Sequence, residues 1–208
     1  MRMFLISAIT SCALLFLAGC AVRQPQPADP LADMRTPDGT VVWQQEYEFV
    51  PPPEPWRLIL LDEDDYSVAF YRSCTEKDPG TFPCESTMAY AEEPFGYSRD
   101  FEERQDEFFD RFLWAARVNF EEPELEKTTL FGRDALRAET VGLEPVLDQK
   151  VLVNVIFARR GERVVAFYFT QWRPKDRNFN RALLPDFNQF AESFRFLKPS
   201  FYQQLTGD

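Results

Sequence analysis

The stretch VLVNVIFARRGERVVAFYFTQW, residues 151–172, decides the fold of this chain. Its two halves are rich in β-branched and aromatic residues, and each half is apolar on both faces of a strand. The residues between them, Arg159-Arg160-Gly161-Glu162, are a tight hairpin signal. We therefore expect two central strands, residues 151–158 and 163–172, that are covered on both sides.

Further strands are predicted around this hairpin at residues 41–49, 56–61, 66–73, 128–131 and 134–141. In the first of them the alternation places Val41, Trp43, Tyr47 and Phe49 on one face. The acidic run at residues 62–65 is interpreted as a turn. A calcium loop is the alternative, but the run lacks the glycine and the distal glutamate of an EF-hand.

Two helices are predicted. The first covers residues 101–120, because Asp100 and Glu103 resemble a capping box and phenylalanines follow at helical spacing, among them Phe108 and Phe112. The second begins near Pro185 and buries Phe187, Phe190 and Phe194. The sum is an α+β domain, an antiparallel sheet of about six to seven strands packed with helices.

Composition excludes several classes of function. The 208 residues are 45% hydrophobic with a formal net charge of -11, which suits one domain and argues against a nucleic-acid partner. The chain has no histidine, so His-dependent hydrolase triads and most zinc sites are excluded. It also lacks a glycine-rich phosphate loop, Cys-x-x-Cys, Ser-x-x-Lys and Gly-x-Ser-x-Gly. We predict no catalytic residue, no cofactor and no metal ligand.

The amino terminus has the layout of a secretory signal peptide. Arg2 precedes an apolar run over residues 3–18, which is too short and interrupted for a comfortable membrane span of ~20 apolar residues. The run ends in Leu17-Ala18-Gly19-Cys20, which resembles the lipobox of bacterial lipoproteins. The alternative is an ordinary signal peptide with a chance cysteine near its end.

The lipobox resemblance implies cleavage before Cys20, a diacylglycerol on its thiol and attachment to a membrane. Ala21, rather than Asp, resembles the outer-membrane class of enterobacterial lipoproteins. We therefore expect a chain anchored in the bacterial envelope, at the outer membrane and facing the periplasm. The expected order is signal peptide 1–19, lipidated and proline-rich tether 20–40, a single domain 41–200 and a tail 201–208.

Two cysteines remain for the domain, Cys74 and Cys84. In an oxidising compartment two leftover cysteines close in sequence are expected to pair, so we predict a disulfide between them. Free thiols and a metal site are the alternatives, although further metal ligands at recognisable spacing are missing.

Several segments together resemble the PsbP-like fold over about residues 41–197. They are Tyr47-Glu48-Phe49, Trp56-Arg57-Leu58, Gly132-Arg133-Asp134-Ala135, the strand from Arg163, and Phe190-Ala191-Glu192-Ser193-Phe194-Arg195-Phe196. This resemblance implies an antiparallel sheet sandwiched by helices, an α/β/α arrangement. The family shares no single chemistry, so the resemblance implies architecture rather than activity.

One locally basic stretch stands out on this acidic chain: Arg173, Lys175, Arg177 and Arg181. We interpret it as a candidate interaction surface for an envelope protein partner or anionic headgroups; a solvated loop is the alternative. The expected function is a non-enzymatic envelope lipoprotein that binds a partner or assists assembly. The alternative is a small-ligand-binding lipoprotein or a carboxylate-based hydrolase, whose pocket would hold carboxyl groups of raised pKa.

Overall fold

The computed structural model describes residues 29–62, 67–73, 85–94, 118–144, 146, 148–160 and 163–198. The chain divides into two units, Met1–Ala32 and Asp33–Asp208; only residues 29–32 of the first are described. Cys20, Cys74 and Cys84 lie outside the described residues, so lipidation and the disulfide stay predictions. The same holds for the signal peptide and for residues 101–117 of the first predicted helix.

Antiparallel strands dominate the second unit. In chain order they are β1 (Val41–Trp43), β2 (Tyr47–Phe49), β3 (Arg57–Asp62), β4 (Ser67–Ser73), β5 (Glu85–Pro94), β6 (Asn119–Phe120), β7 (Glu124–Leu130), β8 (Arg133–Glu144), β9 (Gln149–Arg160), β10 (Arg163–Pro174) and β11 (Arg195–Phe196). The main sheet has eight strands in the order β3-β4-β5-β10-β9-β8-β6, and β7 also pairs with β8. A small sheet has the order β1-β2-β11.

The central hairpin is confirmed. Strands β9 and β10 pair along their whole length, from Arg163 opposite Arg160 to Pro174 opposite Gln149. Every residue from 151 to 158 is buried, as expected for a strand that is covered on both faces. The hairpin occupies the middle of the main sheet because its apolar surface on both sides has to leave water.

An aromatic core lies between one face of the main sheet and the small sheet. The helix α1 (Leu184–Ser193) completes this layer and follows a 3-10 turn, Arg181–Leu183. Its predicted start at Pro185 and the burial of Phe187 and Phe190 are confirmed. Phe194 follows α1 directly, and its ring lies 4.2 Å from that of Tyr90 and 5.3 Å from that of Phe49 (centroid distances).

The opposite face of the main sheet carries a second, aliphatic cluster. Its buried members come from β8, β9 and β10: Leu136, Ala138, Val151, Val153, Val155, Phe157, Val164 and Ala166. Val118, Phe120, Leu125, Tyr168 and Trp172 pack against it. The fully buried residues of the two faces therefore differ in composition, with aromatic side chains on one face and mostly β-branched and small side chains on the other.

The first predicted strand is divided in two. Residues 44–46 form a turn between β1 and β2, with positive φ at Gln44 and Gln45. Since the alternation resumes in phase after the turn, Val41, Trp43, Tyr47 and Phe49 are all buried as predicted. The alternation of apolar and polar residues identifies the buried face of β1 and β2, but it does not indicate the turn between them.

The end of the first predicted helix is wrong, because Asn119–Phe120 is strand β6. This strand pairs with β8 opposite Gly142 and Leu143. At Gly142 a Cβ would lie 2.1 Å from Cγ1 of Val118, so only glycine permits such a close approach. The tertiary contact at Gly142 overrides the helical spacing of the phenylalanines.

The sequence does not predict strand β5, because its core-facing positions begin and end with polar residues. Ser86, Met88, Tyr90 and Glu92 are all buried. The α+β class and the antiparallel sheet are confirmed. Among the described residues the architecture is richer in sheet than the helix-flanked α/β/α sandwich of six to seven strands that was expected.

Replacing Phe194 by Ala is expected to destabilise the domain by about 3–5 kcal/mol, because the lost ring leaves a cavity among Phe49, Tyr90 and Phe167. Chemical denaturation would measure the change. The exposed Val146 is the control, and Val146→Ala should change the free energy of unfolding by about 0.5 kcal/mol or less. A similar loss in both variants would contradict the proposed core.

Candidate anion-binding pocket

The basic stretch predicted from sequence does not form one surface. Arg173 lies in β10 with 1% of its surface exposed, so it cannot contribute to an exposed patch. Lys175, Arg177 and Arg181 are exposed, and each lies near a carboxylate: Asp148 at 3.9 Å, Asp176 at 3.9 Å and Glu139 at 2.6 Å. Partner binding by these residues stays a prediction.

A polar cleft of about 460 Å³ lies beside the start of α1 and contains Glu126 and Glu139. Burial opposes ionisation of Glu139, but hydrogen bonds from Arg181 and Asn154 outweigh it and hold the pKa of this carboxyl below its usual value. Arg137 also donates to Asn154 and Asn188. The cleft thus joins α1 to the sheet, and Glu139 lacks the raised pKa expected of a hydrolase acid.

Within the described part of the chain, no three or more Cys, Asp or Glu side chains cluster as metal ligands would. The described helices also include none whose length and apolar content would allow it to cross a membrane.

A second cavity, of about 430 Å³, is strongly cationic, and we call it the basic pocket. The turn between β7 and β8, the adjoining ends of β9 and β10, and residues 194–198 line it. Five of the described lining residues are cations and none is a carboxylate: Arg133, Arg159, Arg160, Arg195 and Lys198. Aromatic rings of Phe131, Phe194 and Phe196 supply much of the remaining surface.

Arg160 is held rigidly at this pocket. Its Nη1 donates to Glu92 Oε1 at 3.2 Å, and its Nη2 donates to the carbonyl oxygen of Lys198 at 3.0 Å. The guanidinium also lies over the ring of Phe196, 3.9 Å from the centroid. Because these three contacts hold the guanidinium, the position of its charge is set before any ligand binds.

Glu92 on β5 is the buried counter-charge, and its side chain is 1% exposed. Besides Arg160, it accepts hydrogen bonds from the hydroxyls of Tyr47 and Tyr90, both at 2.5 Å, and from Arg163 Nη1 at 3.0 Å. Burial, together with the charge of Glu92, raises the pKa of both tyrosines above the ordinary value of 10.0, so both keep their protons and donate.

The rim of the pocket is held more loosely. Arg195 Nε lies 3.7 Å from Glu48 and Lys198 Nζ lies 3.5 Å from Glu46, with 66% and 51% of the two cationic side chains exposed. Exposed ion pairs of this kind contribute about 0–1 kcal/mol. An incoming anion can therefore compete with Glu46 and Glu48 for these cations.

The basic pocket is not evident from the sequence, because its described lining residues come from separate parts of the chain: 130–133, 158–160 with Val165, and 194–198. Arg159 and Arg160 were noticed only as part of the hairpin signal. The Arg195-Phe196 pair was noticed only as part of the PsbP-like resemblance. The adjacent pair Arg159-Arg160 is the one local sequence signal at the site, and the fold alone brings the other segments beside it.

Comparison with known proteins supplies no family for the chain: no family model and no curated protein matches it. Among solved structures, PA94 of Pseudomonas aeruginosa, a protein of unknown function, is similar at a TM-score of 0.47 and 11% identity, over 66% of this chain and 94% of that chain. LpqN of Mycobacterium tuberculosis, involved in cell envelope biogenesis, has a TM-score of 0.41 and 14% identity, over 72% of this chain and 82% of that chain. Cyanobacterial PsbP from Synechocystis has a TM-score of 0.33 and 14% identity, over 73% of this chain and 87% of that chain.

Replacing Glu92 by Ala is expected to cost about 3–5 kcal/mol of stability, because it leaves two arginines and two hydroxyls near the core without their acceptor. Denaturant unfolding would measure the loss. Glu46→Ala is the control, since its contact with Lys198 lies at the exposed rim, and it should cost about 1 kcal/mol or less. Equal effects of the two substitutions would contradict the structural role of Glu92.

Proposed function

We propose that this chain is a non-enzymatic binding module of the bacterial cell envelope that holds an anionic ligand or partner group in the basic pocket. One observation carries the proposal: five cationic residues line a cavity of about 430 Å³ that has no carboxylate among its described lining residues. Pockets of ~300–1,000 Å³ with a few convergent polar groups are typical of ligand sites.

The negative net charge of the protein disfavours anion binding outside the basic pocket. A chain with a formal net charge of -11 repels anions over most of its surface. A local group of arginines inside a concave site reverses that field over a short distance, and arginine suits oxyanions because its planar donors can bind two oxygens together. The pocket is therefore the place where we expect an anion to bind.

The size of the pocket favours a small anionic ligand, or a single anionic group of a larger partner, over a broad protein surface. A second candidate contact surface for an acidic envelope protein consists of the exposed residues Lys175, Arg177 and Arg181. Their carboxylate neighbours reduce the positive field there, so we give the basic pocket priority.

The location of the protein in the cell envelope is part of the proposal and is supported by sequence alone. The lipobox-like Leu17-Ala18-Gly19-Cys20 supports an anchor at Cys20. The tether proposed to follow it ends by residue 32 rather than residue 40, because the second compact unit begins at Asp33. Outer-membrane placement facing the periplasm and a PsbP-like domain likewise rest on sequence resemblance.

Anion binding can be tested by thermal unfolding of the purified chain in inorganic phosphate and pyrophosphate at constant ionic strength. A ligand at a hundredfold excess over its dissociation constant stabilises the folded state by about 2.7 kcal/mol. The double variant Arg133→Ser, Lys198→Ser should lose at least half of the saturable increase in Tm. Both residues are exposed at the pocket, so the fold should tolerate the change.

The matched control is the double variant Lys175→Ser, Arg177→Ser, which removes the same charge from exposed positions outside the pocket. It should keep the full increase in Tm. If both double variants respond alike, the effect comes from net charge, and the pocket is not the site.

Lipid attachment can be tested by growth with a fatty-acid analogue. The wild-type chain should incorporate the label and stay in the membrane fraction, whereas Cys20→Ala should lose both. Cys12→Ala is the control and should keep the label, because Cys12 lies inside the predicted signal peptide. Membrane retention of unlabelled Cys20→Ala would refute the anchor.

A further inference from the structure

We infer that the ligand of the basic pocket is an anionic amphiphile, with an oxyanion head bound by the arginines and an apolar body that lies on the pocket's phenylalanine and leucine side chains. This inference rests on the proposed function and extends it to the class of ligand. It depends on the apolar half of the pocket, which an inorganic anion would leave unused.

The apolar half of the pocket is directly beside the cations. Buried Leu130, Ala158, Val165 and Phe194 form its base, while Phe131 and Phe196 are only partly buried. Leu197 also lines the pocket and is 45% exposed. Covering such surface with a hydrocarbon chain removes apolar area from water at ~25 cal/mol per Å².

This apolar surface is held open by contacts that do not involve a ligand. The ring of Phe131 meets that of Phe196 edge-on, with centroids 5.0 Å apart. Arg160 covers Phe196 from another side and is itself held by Glu92. Because Phe196 is fixed from two sides, it cannot fold over and close the pocket, so the site is organised in advance for an apolar group.

The exposed cations are the candidates to bind the head. Both Nη atoms of Arg160 already donate to protein oxygens, so this residue positions the site and contributes its charge. Arg133 lies exposed at the mouth, and the contacts of Arg195 to Glu48 and of Lys198 to Glu46 are long, at 3.7 Å and 3.5 Å. A phosphate or carboxylate head placed between them would leave its hydrocarbon chain against Phe131, Phe196 and Leu197.

The volume favours an amphiphile over an acidic peptide. About 430 Å³ accommodates a head group and a short length of hydrocarbon chain, whereas a peptide bound in an extended conformation needs a longer groove with backbone partners. A lipid of the membrane and a free amphiphile share the same chemistry, and the experiment below separates the two sources.

The test is calorimetric titration of the purified chain with n-octyl phosphate below its micelle concentration, compared with inorganic phosphate and with octyl glucoside. We expect n-octyl phosphate to bind at least tenfold more tightly than inorganic phosphate, and the uncharged glycoside to bind at least tenfold more weakly than n-octyl phosphate. Arg133→Ser should weaken both phosphates by a similar factor.

Leu197→Ser separates the apolar contribution from the charge. It should weaken n-octyl phosphate by threefold or more and leave inorganic phosphate unchanged. The backbone hydrogen bond from Leu197 N to Glu46 O, at 2.8 Å, is available to serine as well, so the local fold should persist. Leu143→Ser is the matched control, since Leu143 is 43% exposed and lies outside the pocket; it should change neither affinity.

Vesicles identify the source of the ligand. In the Cys20→Ala background, where the proposed lipid anchor cannot drive flotation, flotation with phosphatidylglycerol vesicles but not phosphatidylcholine vesicles, lost on adding Arg133→Ser and displaced by n-octyl phosphate, would support a membrane lipid. Tight n-octyl phosphate binding without flotation would support a free amphiphile. If n-octyl phosphate binds no more tightly than inorganic phosphate, the inference is wrong while the anion site stands. If neither phosphate binds, both the inference and the proposed function are wrong.

Discussion

A buried carboxylate, Glu92, connects the two sheets of this domain. It accepts hydrogen bonds from Tyr47 of the small sheet, from its own strand through Tyr90, and from Arg160 and Arg163 at the adjoining ends of β9 and β10. A carboxylate removed from water is tolerated only when it is paired and hydrogen-bonded, so these four donors have to meet at one point. That requirement fixes β2 and the β9–β10 hairpin relative to β5.

The aromatic core depends on the same arrangement. Tyr47 and Tyr90 take part in both the carboxylate network and the ring cluster, where each packs against Phe194. The segment after α1 therefore cannot move without disturbing Glu92, because Phe194 touches the tyrosines and the carbonyl of Lys198 accepts from Arg160. Apolar packing and the ion-pair network stabilise one geometry together.

The basic pocket follows from this network. Glu92 compensates the charge of Arg160 from inside the domain. The repulsion between Arg160 and the other cations of the pocket is therefore reduced, and they can lie around one cavity. The rim cations have only long, exposed contacts with Glu46 and Glu48, which leaves them able to exchange partners. Rigid charge at the base and adaptable charge at the rim suit a site that captures an anion from solution or from a membrane surface.

The sequence by itself determined the central hairpin, the buried face of β1 and β2, the start of α1 and the α+β class, because these depend on periodicities within one segment. It did not reveal β5, whose core-facing residues include Ser86 and Glu92, since polar residues are read as exposed until their partners are known. It also placed Phe120 in a helix, where the contact with Gly142 requires a strand. The basic pocket could not be predicted, because Arg133, Arg160 and Arg195 are distant in sequence and belong to two different sheets, so that only the packing of the small sheet on the main sheet brings them around one cavity.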